Sequence, residues 1–256
     1  MSFLWHLGVK LYIMRIQCVV SYDGTKFYGW QKQPDKRSVQ EVIECAINKI
    51  TGEHNVIHSS GRTDAKVHAH NQVFHFDTQK DIAFKQWKRA INHFLPEDVY
   101  IKESKWVGEE FHARYSAIKK EYHYLLSTNE YNPFERDYIY QYPYGKLDLE
   151  AMCDCAKLFV GTHDFASFCV YDQLGTTIRT IYHIDIIEND GYFTFKLVGD
   201  GFRRYMVRMI VGGLIQVGAH RRSKAFLADL LESKGEKKCL FKAEPQGLYL
   251  EHVYYE

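Results

Sequence analysis

The chain has 256 residues, 46% of them apolar and 25% charged, with a net charge of +1. These are ordinary globular proportions, which exclude a disordered tail or a collagen-like fibre and allow one large domain or two halves. No apolar run of about 18 residues occurs, so a spanning helix is not expected. The opening MSFLWHLGVKLYIM lacks the basic flank and small-residue cleavage site of a signal peptide. Cys18, Cys45, Cys153, Cys155, Cys169 and Cys239 form no C-x-x-C pair, so free thiols in a reducing cytoplasm are expected.

In chain order, Arg15–Tyr22 reads as a strand ended by Asp23-Gly24, a turn signal. Ser38 and Glu41 form a capping box. Val39, Val42, Ile43, Ala46, Ile47 and Ile50 then recur at helical spacing up to Gly52. A short strand is expected near Asn55–His58 and another at Gln72–Asp77. The next helix runs from Phe84 to before Pro96, with Trp87, Ala90, Ile91 and Phe94 on one side, and Val99–Trp106 is a strand.

After the link Gly108–Lys120, Glu121–Ser127 reads as a strand, and Asp148 caps a helix through Phe159 that stops at Gly161. Arg179–Glu188 and Tyr192–Val198 flank Asn189-Asp190-Gly191, a hairpin signal. Helices over Arg204–Val217 and Ser223–Ser233 and a last strand at Leu248–Tyr254 follow. Each half then has the split ferredoxin-like order β-α-β-β-α-β, with one extra helix in the second. The expected fold is α+β: two ferredoxin-like halves, 14–110 and 111–256, whose sheets face each other or join around a central cleft. Residues 1–13 form an N-terminal extension.

Three segments carry chemistry. Ser59–His70, SSGRTDAKVHAH, joins two strands, where scaffolds hold reactive groups. Asp64 there is either a turn cap or one ligand of a metal site with His68, His70 and His75, although the spacing fits no standard ligand pattern. Gly199–Gly218 reads as a glycine pair opening a helix whose first turn carries Arg203 and Arg204, with Arg208 one turn on. Guanidinium groups there suit phosphate oxygens or a buried carboxylate, and Gly212-Gly213 would let a neighbouring element pack closely. Lys119–Tyr124, KKEYHY, places Tyr122 and Tyr124 on one face of a strand behind lysines, either core or a base-stacking surface. Charge is unevenly spread: Arg203–Lys242 has ten basic and three acidic residues, +7, while the other 216 residues carry −6. One basic segment on an acidic chain is a candidate phosphate-binding face.

YDGTKFYGWQKQ (22–33), SGRTDAKVHAHNQVFHF (60–76), FHARYSAIKKEYHY (111–124), FVGTHDFASF (159–168), GDGFRRYMVRMIVG (199–212) and GLYLEHVYY (247–255) together closely resemble the tRNA pseudouridine synthase A (TruA) family. The resemblance runs from about residue 15 to the C-terminus. It implies the pseudouridine synthase fold and a cofactor-free, metal-free isomerase. That enzyme converts uridine to pseudouridine at positions 38, 39 and 40 of the tRNA anticodon arm, acting as a cytoplasmic homodimer with tRNA as partner.

By the same resemblance Asp64 is the catalytic carboxylate, Arg208 its ion-pair partner, and Tyr122 the ring that stacks on the target base. Arg62 helps displace that nucleotide. His68, Lys120, Arg203 and Arg204 are further expected substrate-binding residues. The chain departs from the pattern at Lys66, usually glycine, and at Arg203-Arg204, usually leucine followed by a polar or aromatic residue. A catalytically weak tRNA-binding or RNA-chaperone paralogue is the competing expectation.

Overall fold

A computed structural model describes residues 13–170 and 175–256. The expected N-terminal extension therefore lies outside the described residues, but for Ile13. The first half of the chain forms β1 (Met14–Tyr22), α1 (Val39–Thr51), β2 (His58–Ser59), β3 (His68–Thr78), α2 (Phe84–Phe94) and β4 (Val99–Val107). The second forms β5 (Lys119–Ser127), β6 (Tyr140–Gln141), α3 (Leu149–Ala156), β7 (Gly161–Asp164), β8 (Ile178–Asn189), β9 (Tyr192–Gly199), α4 (Met206–Gly218), α5 (Lys224–Glu232) and β10 (Leu248–Tyr254).

The caps read from sequence are formed. Ser38 accepts from the Glu41 N–H, and Gly52 ends α1 with φ +75°. Asp148 caps α3 through the Ala151 N–H, and Ser223 caps α5 through the Phe226 N–H. Each satisfies one of the donors a helix start leaves over. Asp190 and Gly191, at φ +50° and +80°, make the two-residue turn that matches strand twist between β8 and β9.

All ten strands belong to one sheet, in the order β4-β1-β3-β10-β5-β9-β8-β7, with β2 on β3 and β6 on β5. Of the two arrangements expected, the sheets join. Each half repeats one internal order: β4-β1-β3 with β2 beyond, then β10-β5-β9-β8. The junction is a short parallel pairing of Tyr249 with His68 and Leu250 with Ala69. There β3, the strand that follows the Ser59–His70 loop, pairs with a strand of the second half.

Some boundaries differ from expectation. β3 begins at His68 rather than Gln72, because the junction with β10 supplies hydrogen-bond partners that the local pattern does not announce. The expected strand at Asn55–His58 is two residues further on and only two long. The short strands β6 and β7 were not foreseen; both pair along a neighbour already in the sheet. The helix expected over Arg204–Val217 starts at Met206, with Tyr205 before it at φ +64°. Arg203 and Arg204 therefore precede the helix rather than forming its first turn. Phe94, read on one side of α2 with Trp87, Ala90 and Ile91, is 41% exposed, with Lys49 Nζ of α1 5.7 Å from its ring centroid.

Candidate active site

Residues 60–67 cross the junction between the halves on a foundation laid by Tyr22–Trp30. Gly24 lies against the Val67 backbone, so close that a Cβ there would stand 2.1 Å from the Val67 oxygen. Gly29, at φ +93°, approaches the Thr63 carbonyl in the same way, at 2.7 Å. Only glycine permits both contacts. The Trp30 N–H donates to the Thr63 oxygen (3.1 Å) and the Lys66 N–H to the Phe27 oxygen (3.1 Å). The Tyr22 and Thr63 hydroxyls share a hydrogen bond of 2.8 Å. The Val67 N–H closes a turn onto the Asp64 oxygen at 3.2 Å, and Lys66 takes a left-handed φ of +64° within it. That turn presents the Asp64 side chain to the second half.

Arg208 meets it there. Its NH1 donates to Asp64 Oδ2 at 3.3 Å, and the two side chains are only 7% and 18% exposed. The placement of Arg208 follows from Gly212, where a Cβ would stand 2.6 Å from the Phe241 oxygen. This glycine lets the segment Phe241–Ala243 lie directly on α4. The Arg208 Nε then donates to the Ala243 oxygen at 2.8 Å, and the Ala243 N–H donates back to the Arg208 oxygen at 2.9 Å. The expected close packing at Gly212-Gly213 is thus what holds the guanidinium rigid.

Burial pushes the Asp64 carboxyl above the usual carboxylate range. Arg208 pulls it back most, followed by Arg204 and Lys242. The Tyr205 ring gathers these cations: Lys242 Nζ, the Arg204 guanidinium and the Arg208 guanidinium lie 4.4, 4.8 and 5.4 Å from its centroid. Tyr122 is buried on β5, its ring edge-on to Phe202 at 5.2 Å. Burial, then Tyr22 and Asp64, raise its phenol, so the hydroxyl stays protonated near neutral pH. The site is a rigid, partly desolvated carboxylate beside a guanidinium and a phenol. Such a group can act as a nucleophile or a base at carbon.

A family model described as tRNA pseudouridine synthase matches residues 18–116 and 155–256. The chain belongs to this family. It is 42% identical over 244 residues to tRNA pseudouridine synthase A of Anoxybacillus flavithermus, covering 94% of this chain and 99% of that protein. A protein of the same name from a Geobacillus species is 44% identical over 245 residues, covering 94% and 98%. The Bacillus subtilis protein of that name is 40% identical over 247 residues, covering 95% and all of its length.

In this family member the other expected site residues are placed unequally. Arg62 is exposed beside Asp64, without a hydrogen bond or ion pair among the described residues. Arg204 is exposed and donates to the Tyr205 hydroxyl at 2.9 Å. Arg203 lies half-buried before α4. Lys120 turns its Nζ onto the Ser60 oxygen at 2.6 Å, behind the Asp64 loop.

His68 is buried, with Nδ1 accepting from the Gly24 N–H and Nε2 against the Asp137 oxygen, both at 3.0 Å. A neutral ring satisfies both contacts, and burial lowers its pKa. His70 instead pairs with Glu251, and His75 accepts from the Ala113 N–H. The metal site considered for Asp64, His68, His70 and His75 is therefore not assembled: each group is taken by a different partner. Among the described residues no His, Cys, Asp and Glu group is placed to hold a metal ion. Tyr124 is wholly buried, donating to the Glu244 oxygen, so of the two tyrosines considered for stacking it belongs to the core. Tyr205 and Lys242 were not singled out from sequence; the only signal was their position within the basic segment.

Proposed function

We propose that this chain converts uridine to pseudouridine in the anticodon arm of tRNA, with Asp64 as the catalytic carboxylate. The observation that carries the proposal is the 3.3 Å pair of Asp64 and Arg208 in a family member. In the reaction the N1–C1′ bond breaks, the uracil turns, and C5 bonds to C1′. The C5 hydrogen leaves as a proton and N1 gains one, so atoms balance without a cofactor. Asp64 serves either as the nucleophile at C1′ or as the base for a sugar proton, and Arg208 keeps it ionised despite burial.

Tyr122 carries the uracil face, and Arg62, exposed beside Asp64, helps displace the target nucleotide. A stem uridine leaves its stack at a cost of a few kcal/mol. Lys120, Arg203 and Arg204 supply positive charge for the strand, and His68 supports the loop from behind. The halves 14–110 and 111–256 form the two walls of the cleft. We place the chain in the cytoplasm as a homodimer. Six free cysteines suit a reducing compartment, and among the described residues no helix is long and apolar enough to cross a membrane. Sedimentation of the full chain tests the dimer.

Tritium release from tRNA labelled at uracil C5 tests the reaction, because C5 cannot bond to C1′ without losing its hydrogen. Release by the wild type and none by Asp64→Ala is expected. Tight tRNA binding without release would overturn the proposal in favour of an RNA-binding protein on this fold.

A further inference from the structure

Behind the Asp64 loop, where Lys120 Nζ reaches the Ser60 oxygen, lies a second set of cations that makes no ion pair among the described residues. Lys120 on β5 pairs in register with Gly199 on β9, and Gly199 pairs with Ile181 on β8. The middle strand therefore contributes no side chain of its own at the step between Lys120 and Ile181, which follows Arg179 by two residues on β8. A Cβ at Gly199 would press on the Thr180 oxygen and the Phe202 ring, at 2.8 and 3.1 Å. Lys120 Nζ lies 3.0 Å from where a Gly61 Cβ would stand, and Arg179 Nε 3.7 Å from the equivalent point at Gly201. Both cations thus border exposed backbone rather than side chains.

Their donors are mostly unspent. Lys120 uses one N–H, on Ser60, and Arg179 uses one, on its neighbour Ile178, out of three and five respectively. Among the described residues neither makes an ion pair, and neither does Arg114. The nearby carboxylate is Asp200, whose Oδ1 accepts the Thr180 N–H at 3.1 Å. The charges oppose one another. Burial, then Arg114 and Arg179, press Lys120 down to about 8. Burial also lowers Arg179; Asp200 opposes this, and Arg203 and Arg114 add to it. Half-buried like charges are costly until an anion joins them.

The position identifies the anion. Lys120 and Tyr122 face the same side of β5, about 7 Å apart along the strand. That is a short step from the base position proposed above to its own backbone. We infer that Lys120 and Arg179 form a subsite for one phosphodiester flanking the target uridine, an inference that rests on the proposed function. The subsite draws the strand in as the nucleotide leaves the stem, and the phosphate supplies the ion-pair partner that Lys120 and Arg179 lack among the described residues.

The test removes the charge from the substrate. Binding is measured for tRNA carrying a methylphosphonate at the phosphate 5′ or 3′ to each of nucleotides 38, 39 and 40. The chain carries Asp64→Ala to prevent turnover, with and without Arg179→Gln. Neutralising one flanking phosphate is expected to weaken binding about ten- to a hundredfold, the worth of a charged hydrogen bond. With Arg179→Gln added, the same neutralisation changes binding less than about twofold, and the slope of log affinity against log salt falls by about 0.7.

Equal losses with and without Arg179→Gln overturn the subsite. Where Arg179→Gln does not fold, Lys120→Met carries the same comparison. Wild-type tritium release, run in parallel, separates the two proposals. Release without coupling removes the subsite alone. Coupling without release removes the synthase reading and leaves a phosphate site.

Discussion

Replacing Arg208 by methionine keeps the length of the side chain and removes its charge and donors. At 3.3 Å and an effective dielectric of about 20, the attraction between Asp64 and Arg208 is about 5 kcal/mol. Asp64 retains some solvent, and Arg204 and Lys242 also favour its charged form, so the net loss is a fraction of that. A third of it still exceeds the 1.36 kcal/mol of about one pKa unit. Because burial already raises the Asp64 carboxyl, losing Arg208 raises it further. The acid limb of the rate profile then moves to higher pH by more than about one unit.

Single-turnover tritium release between pH 5 and 9 measures this limb, and Arg208→Lys restores part of the shift. Thermal unfolding provides the control, since removing one member of a buried pair costs about 3–5 kcal/mol. The double variant Asp64→Asn/Arg208→Met is expected to be more stable than Arg208→Met alone. A rate that falls equally at every pH, with the limb unmoved, would refute the idea that Arg208 acts by keeping Asp64 ionised.

Lys66→Gly relieves a left-handed residue at a cost of chain entropy. The offsetting terms, about 1–2 and 0.5–1 kcal/mol, leave a gain of about 0.5 kcal/mol, read as a higher urea midpoint; a lower midpoint contradicts the backbone argument. Gly24→Ala drives a Cβ into the Val67 carbonyl and destabilises by about 1–3 kcal/mol. The shifted loop is expected to slow tritium release about a hundredfold, and wild-type rates would show that the loop does not depend on this contact.

His75 titrates near 4, lowered from 6.5 by burial, then by His112, Arg15 and His58. Its contribution to stability is complete above pH 6.5 and is lost as pH falls toward 4, amounting to about 3 kcal/mol. Urea unfolding across that window should show the slope in the wild type and a shallower one in His75→Gln. Identical slopes would rule His75 out as its source.

Much was legible in the residues themselves. Period, caps and turn chemistry are local, so Ser38, Asp148, Ser223 and the Asp190-Gly191 turn could be assigned before any fold was known. So could the order of elements in each half apart from the short strands β6 and β7, and the ordered motifs around Asp64, Tyr122 and Arg208 pointed to the family. Features made by long-range partners were not legible. His68–His70 became a strand because β10 arrives beside it from the other end of the chain. His68 itself became a buried support because Gly24 and Asp137 occupy its two ring nitrogens. Arg203 and Arg204 left the helix because Tyr205 takes a left-handed conformation that no spacing rule signals.

The sequence by itself thus determined which chemical groups the chain carries and which local structures bear them. The tertiary structure decided which groups meet: Asp64 and Arg208, separated by 144 positions, are joined by three glycine-permitted backbone contacts, at Gly24, Gly29 and Gly212. It also decided that Lys120 on β5 and Arg179 on β8 lie two strands apart in one sheet, neither with an ion-pair partner among the described residues. Burial and charge coupling depend on distances in space, and distances in space are what a linear pattern does not contain.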